Sequence, residues 1–185
     1  MEHLGTKTLE TERLILRKFI INDVENMFKN WANDNDVTKY LVWPSHQDLN
    51  VSKSVIETWI ENYKKNDFYN WGIILKEINE PIGSIGVVGQ NENIKMVHIG
   101  YCIGKNWWNK GIVSEALNEL IKFFFNEIGV NRIESRHDPN NPNSGKVMAK
   151  CGMKYEGHMK HADRNNQGIV DAVFYGIIAE EYFRK

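Results

Sequence analysis

Cysteine is scarce in this chain: only Cys102 and Cys151 occur among 185 residues, far apart and outside any C-x-x-C spacing. That excludes a disulfide framework, fits a reducing compartment, and leaves both thiols to be read as small buried hydrophobes. Long apolar runs are missing as well. Nothing approaches the ~20 residues that span a bilayer, and the opening "MEHLGTKTLETERL" has no signal-peptide core. A cytoplasmic location with no membrane partner is the expectation. Neither charge is in excess: 23 basic residues face 24 acidic ones for a formal net charge of -1, which gives nucleic acid no basic patch to meet. Repeats and low-complexity tracts are absent. So are the G-x-G-x-x-G fingerprint and the P-loop G-x-x-x-x-G-K-[ST], which turns the reading away from Rossmann dehydrogenases, kinases and simple NTPases.

What is present fits one well-filled core. Hydrophobic residues make up 42% of the chain, and six Trp, seven Tyr and eight Phe supply bulk, so residues 1–185 are expected to form a single domain. "TERLILRKF" spaces Leu14 and Leu16 as a strand would. Asn22 and Glu25 are placed to cap a following helix with Val24, Met27, Phe28 and Trp31 on one face. After a loop, Val51, Val55, Trp59, Ile60 and Tyr63 recur at helical spacing. "YNWGIIL", "IGSIGVVG" and "VHIGYCIG" then read as a three-stranded meander, with glycines 83, 86, 89, 100 and 104 marking bulges or close backbone approach. A helix from Ser114 carries Leu117, Leu120, Ile121, Phe124 and Ile128 inward and ends at Gly129. "NRIESRH" is a strand, and Ser144 to Cys151 a helix closed by Gly152. "MKYEGHM" and "AVFYGII" are the last strands, joined by the polar loop "HADRNNQGIVD". The sum is a mixed α/β (α+β) fold.

One stretch raises a chemical question. In "NKGIVSEAL", Gly111 separates a polar turn from a helix, and a helix start offers unpaired N–H groups and about half a positive charge to an anion. A glycine there lets backbone approach phosphate oxygens. Equally, many strand-to-helix turns need glycine only for their dihedrals, and the local sequence leaves both readings open.

The wider pattern is more specific. "ETERLILR", "HIGYCIGKNWWNKGIVSEAL" and "NNPNSGKVMAKCGMKYEG", in this order and spacing, resemble the GNAT superfamily of acyl-CoA-dependent N-acetyltransferases, nearest its RimJ/RimL-type branch, from about Thr8 to Tyr182. The resemblance implies a central sheet in which an antiparallel meander is followed by a splayed parallel strand pair, with helices on both faces. It also implies acetyl-CoA (CoA) as cofactor. The family's pyrophosphate loop Q/R-x-x-G-x-G/A falls on Trp108, Asn109, Lys110, Gly111, Ile112 and Val113. Only Gly111 matches the short formula, and Asn109 is well suited to a left-handed turn. By similarity the amides of Asn109 to Ser114 face the pyrophosphate, with Lys110 either adding charge or standing solvated. Tyr101, Cys102 and Ile103 are implied to pair with the pantetheine arm as an added strand would.

Acetyl transfer to an amine needs a neutral nucleophile, donors for the developing oxyanion, and an acid for the leaving sulfur. The pattern N-x-x-S-x-x-V-x-x-K-x-G matches Asn141, Ser144, Val147, Lys150 and Gly152. By resemblance Ser144 hydrogen-bonds or protonates the departing sulfur and Asn141 bonds the pantetheine arm; ordinary helix capping also explains both. His98 stands where many relatives carry a glutamate assigned as base, and a histidine suits an α-amine, whose pKa is about 8. Asp163 matches an acidic residue of the branch proposed to act as base through water. His158 and His161 lack further ligands, so no metal is expected. The implied acceptor is a primary amine, on a protein N-terminus or a small molecule, and Asp23, Glu25, Asp34 and Asp36 are candidates to attract a cationic one. A monomer or homodimer is compatible with the sequence. An acyl-CoA-binding module without turnover is the alternative, motivated by Trp108 and Val113, which stand where Gln or Arg and a small residue are usual.

Overall fold

The apolar alternations become one twisted sheet. The computed structural model describes residues 1–184. Strands β1 (Leu9–Glu10), β2 (Leu14–Arg17), β3 (Asn70–Leu75), β4 (Glu80–Asn91), β5 (Met96–Ile103), β6 (Arg132–His137), β7 (Lys154–Asn165) and β8 (Gly168–Ile178) lie in the order β1-β2-β3-β4-β5-β6-β8-β7. Neighbours are antiparallel except β5 and β6, which run parallel. The mixed fold, the meander and the parallel pair are all as expected.

Helices α1 (Val24–Met27), α2 (Asn35–Thr38), α3 (Leu49–Asn62), α4 (Ile112–Phe123), α5 (Pro142–Lys150) and α6 (Ala179–Phe183) complete the chain. Two apolar clusters show which face each covers. Val97, Ile99 and Ile103 of β5 pack with α4 residues such as Ala116, Leu117 and Leu120 and with Met148 and Cys151 near the end of α5. On the other face Phe19, Met27, Trp31 and Ile56 from the α1–α3 region pack together, with Cys102 against them. Because strand side chains alternate, odd-numbered β5 residues face α4 and α5 while His98, Gly100 and Cys102 face α1 and α3. Burying the apolar stripe of α4, at roughly 25 cal/mol per Å² of apolar surface, holds that helix against the sheet.

Three local expectations need correction. The helix after β2 is broken into a tight turn at Ile21–Asp23, α1, and a wider π-type turn at Phe28–Ala32. Asn22 does not cap it. Asp23 does the work instead, accepting the Ile20 amide at 2.9 Å while Arg17 holds both carboxylate oxygens at 2.7 and 2.9 Å. In α3 Val55, Trp59 and Tyr63 pack against the core as expected, but the fully buried positions are Ser52 and Ile56, and Val51 and Ile60 are exposed. The helix is rolled because Ser52 Oγ lies 2.7 Å from His46 Nδ1 in the interior. Finally, "HADRNNQGIVD" is not a loop. β7 and β8 run through it to a turn at Asn166 and Gln167, and β7 is a largely exposed edge strand without an apolar face to betray it.

That turn clasps the opposite side of the molecule. The Asn166 amide donates to Leu41 O at 2.9 Å, and Asn166 Nδ2 donates to the carbonyls of Thr38, Leu41 and Trp43 at 2.8, 3.0 and 3.1 Å. The hairpin tip and the chain around the end of α2 thus form one wall, tied to the end of β6 by Asn165 Nδ2, which donates to Asp138 Oδ2 at 3.2 Å.

Candidate active site

The parallel pair opens into a gap. β5 and β6 are in register only at Met96, Val97 and His98, opposite Arg132, Ile133 and Glu134. Beyond them β6 continues on its β8 side to His137, while β5 stays with β4 to Ile103. Ser135 Oγ donates to Ile99 O at 2.7 Å, and Trp108 Nε1 donates to Ile103 O at 2.9 Å. The odd residues of β5 therefore turn their backbone groups toward the gap. Tyr101, between them, presents its N–H and C=O there without a β6 partner, as an edge strand would. Cys102 does not: its carbonyl points at Gly83 of β4. Of the three residues expected to offer backbone, Tyr101 turns both its groups to the gap, Ile103 has its carbonyl taken by the Trp108 indole, and Cys102 contributes to the β4 side.

The end of the gap is closed by the turn that opened the chemical question. Asn109 has φ 60° and Gly111 φ 73°, both left-handed, so the chain folds back on itself before α4. Gly111 is the helix N-cap and makes no side-chain cap bond. The first intrahelical bond across this turn runs from the Glu115 amide to Gly111 O at 3.1 Å. By helix geometry the amides of Ile112, Val113 and Ser114 are left without intrahelical acceptors, on residues that are themselves buried. A buried, uncapped helix start calls for an anion.

Cations frame it. Arg13 Nη1 donates to Lys110 O at 3.0 Å, and Arg13 Nε donates to Glu115 Oε2 at 2.7 Å. Thr11 Oγ1 and the Arg13 amide also donate to Glu115, at 2.6 and 2.9 Å. Burial raises the Glu115 pKa, but those donors outweigh it and hold the carboxyl below its usual range. Glu115 is thereby the anchor that pins Arg13 to the loop. Lys150 Nζ and Arg13 Nη2 lie 3.7 and 3.8 Å from where a Cβ on Gly111 would stand. Lys110 itself is exposed. Trp108 has a clear role: its indole ties the loop to the end of β5.

Asn141 and Ser144 sit at the start of α5. Asn141 is the N-cap residue but makes no side-chain cap bond, and Pro142 takes the first helical position. Ser144 lies inside the first turn, where its hydroxyl reaches across to β5, donating to Tyr101 Oη at 2.9 Å. Tyr101 Oη donates in turn to Ser144 O at 2.9 Å. Capping therefore accounts for neither side chain. Burial pushes the Tyr101 hydroxyl well above the usual tyrosine range, so it stays protonated. Cys151, buried at the end of α5, is pushed up to about 11 by burial, against a bond to Ser114 O at 3.3 Å, and Cys102 is raised likewise beside Ser84.

On the α1–α3 face, His98 is 8% exposed, with Nδ1 3.4 Å from Glu134 Oε1. The hydrogen bond from His98 and the contacts of Arg132 keep Glu134 below the usual carboxylate range, against burial. Asp163, on β7, is held by both Nε and Nη2 of Arg136 at 2.6 and 3.0 Å. Of the acids expected to draw a cation, Asp23 is buried against Arg17, and Asp34 and Asp36 share Lys105 at 3.3 and 3.0 Å. Asp23 is thus matched in place, Asp34 and Asp36 have one cation between them, and Glu25 is exposed on α1. His158 pairs with Asp171 at 2.8 Å, and among the described residues no cluster of three or more His, Cys, Asp or Glu could hold a metal ion. No helix among them is long and apolar enough to cross a membrane. Sequence reasoning did not find Arg13, Glu115, Glu134 or Arg136, since their roles arise from contacts between distant segments.

Comparison with known proteins gives the same outline. A family model described as "Acetyltransferase (GNAT) domain" matches residues 13–154. The chain is 30% identical to the uncharacterized N-acetyltransferase p20 of Bacillus licheniformis, over 95% of this chain and 98% of that protein. A solved acetyltransferase (GNAT family) from Bacillus anthracis superposes with a TM-score of 0.82 at 28% identity, covering 95% and 100% of the two chains. RimL, a ribosomal L7/L12 α-N-protein acetyltransferase solved with coenzyme A, superposes with a TM-score of 0.82 at 19% identity, covering 93% and 98%.

Proposed function

Since the chain belongs to the GNAT acetyltransferase family and is an N-acetyltransferase using acetyl-CoA, we propose that its acceptor is the α-amine of a protein N-terminus, Ala or Ser. The observation that carries the assignment of the site is the buried, uncapped start of α4 at the end of the β5–β6 gap. Its fit to the cofactor is physical. A pyrophosphate supplies the acceptors that the amides from Ile112 to Ser114 lack and can be reached by those of Asn109 to Gly111, Arg13 and Lys150 offset its charge, and a pantetheine amide matches the open backbone of Tyr101 and the N–H of Ile103. Lys110 adds a further cation from solvent. Asn141, whose side chain caps nothing, is assigned to the arm.

Acetyl-CoA supplies a thioester carbonyl at the mouth of the gap. The acceptor nitrogen bonds to that carbon, the C–S bond breaks with its electron pair going to sulfur, and the nitrogen sheds one proton. We assign that proton to His98, with Glu134 behind its Nδ1. Ser144 is assigned to the departing sulfur: its hydroxyl donates a hydrogen bond to the leaving thiolate, which takes one proton from solvent while His98 returns one to solvent, so the products are the amide and the thiol. Asp163, doubly bonded to Arg136, is the second candidate to receive the proton through water and orders the β7 wall meanwhile. An α-amine with a pKa of about 8 has roughly a tenth of its molecules neutral at pH 7, far more than a lysine amine has, so one modest base suffices. The RimL likeness supports this acceptor over a lysine amine. A cytoplasmic site of action follows from the same reading.

The test is an acetyl-CoA assay following thiol release across N-terminal Ala and Ser peptides, polyamines and aminoglycosides. Turnover with the peptides, lost on His98→Ala and Ser144→Ala while CoA affinity holds, is expected. Turnover with small amines alone overturns the acceptor assignment, and tight CoA binding with no turnover for any acceptor favours a sensor.

A further inference from the structure

The Ser144 hydroxyl could have satisfied itself locally, because a serine in a helix commonly bonds a carbonyl one turn back. Here it reaches instead from α5 to β5 and meets Tyr101 Oη at 2.9 Å, while Tyr101 Oη returns a bond to Ser144 O at 2.9 Å. Two reciprocal bonds close a small ring through one residue, which fixes the serine rotamer. Tyr101 sits on the strand whose backbone lines the gap, so the ring ties the hydroxyl to the place where sulfur leaves.

We propose that Tyr101 is a positioning residue, whose phenol sets the Ser144 hydroxyl for hydrogen bonding to the thiol sulfur of coenzyme A. This rests on the assignment of the gap to coenzyme A. Tyr101 remains a neutral hydroxyl because it is buried, so it holds the ring closed at any pH where the protein works. With the Ser144 oxygen held in place, its O–H rotates to sulfur and the Tyr101 proton swings from Ser144 O to Ser144 Oγ, which keeps every hydroxyl bonded. No covalent step is asked of the phenol.

The experiment uses the full chain and coenzyme A itself, without any acceptor. Thiolate absorbance of bound CoA is titrated as a difference spectrum against the complex with desulfo-CoA, in wild type, Tyr101→Phe, Ser144→Ala and the double variant. A donor on sulfur stabilises the thiolate, so the thiol pKa in wild type should lie about one unit below that in the Ser144→Ala complex, where burial is the same and the donor is gone. Tyr101→Phe should remove most of that difference, and the double variant no more than Ser144→Ala. Calorimetric CoA affinity and the melting temperature are measured alongside, and Ser144→Ala keeps the test decisive if Tyr101→Phe folds poorly. A wild-type thiol that titrates as in the Ser144→Ala complex, or a Tyr101→Phe complex indistinguishable from wild type, overturns the proposal. Failure of CoA to bind at all instead sinks the site assignment, and with it this inference.

Discussion

Single residues decide whether the loop before α4 can hold an anion. Gly111 has φ 73°, where a β-carbon costs roughly 1–2 kcal/mol, and its β-carbon would project toward Lys150 and Arg13. Gly111→Ala should therefore lower stability by about that amount and weaken CoA binding at least tenfold; calorimetry and thermal melting check both. Arg13 is 43% exposed, so its ion pair with Glu115 adds little to folding, about 1 kcal/mol or less after solvent screening. Its bond to Lys110 O shapes the loop. Arg13→Ala should raise the Kd for CoA about fivefold with little change in melting temperature, and an unchanged Kd would show that Arg13 only decorates the surface. Asn109 was legible, since asparagine tolerates the left-handed turn it adopts. Arg13 and Glu115 were not, because nothing local links residues so far apart in sequence.

Elements were readable where they bury a face. α4 shows its apolar stripe plainly, and Gly129 ends the helical stretch in a left-handed residue at φ 70°. The same logic hid β7, whose side chains are mostly exposed on the sheet edge, so its polar sequence looked like a loop. It also gave α3 only in part: Val55, Trp59 and Tyr63 face the core, but so does Ser52, which is bonded to His46. The hairpin tip then matters more than its composition suggested. Asn166 makes four hydrogen bonds to the loop after α2 through its amide and side chain. Asn166→Ala removes the side-chain bonds, and hydrogen exchange at residues 38–43 should rise at least tenfold while the α4 amides stay protected. Equal protection in the variant would mean the wall stands without the clasp.

For the whole molecule, acid should be the weak side. Burial lowers the His46 pKa, so the unfolded chain takes up that proton first; the contribution is complete above about pH 6.5 and fades as pH falls. Glu115 and Glu134 also sit below their ordinary values when folded. Their contribution is complete above about pH 4.5 and is lost below it. Urea midpoints should hold between pH 7 and 8, decline gently below about 6.5 and steeply below about 4.5, with His46→Gln removing only the upper step. A midpoint that rises between pH 7 and 5 contradicts the sign. The sheet order itself, with one parallel pair inside an antiparallel sheet, places the gap, the uncapped helix and Ser144 together. The most direct measurement of that claim is an amide NMR titration of the nitrogen-15-labelled chain with coenzyme A and, separately, with pantetheine. Coenzyme A should shift the amides from Asn109 to Ser114 together with Tyr101 and Ile103, while pantetheine, lacking the pyrophosphate, should move only the strand residues. Coenzyme A shifts confined to another surface, with the amides before α4 unmoved at saturation, would contradict it.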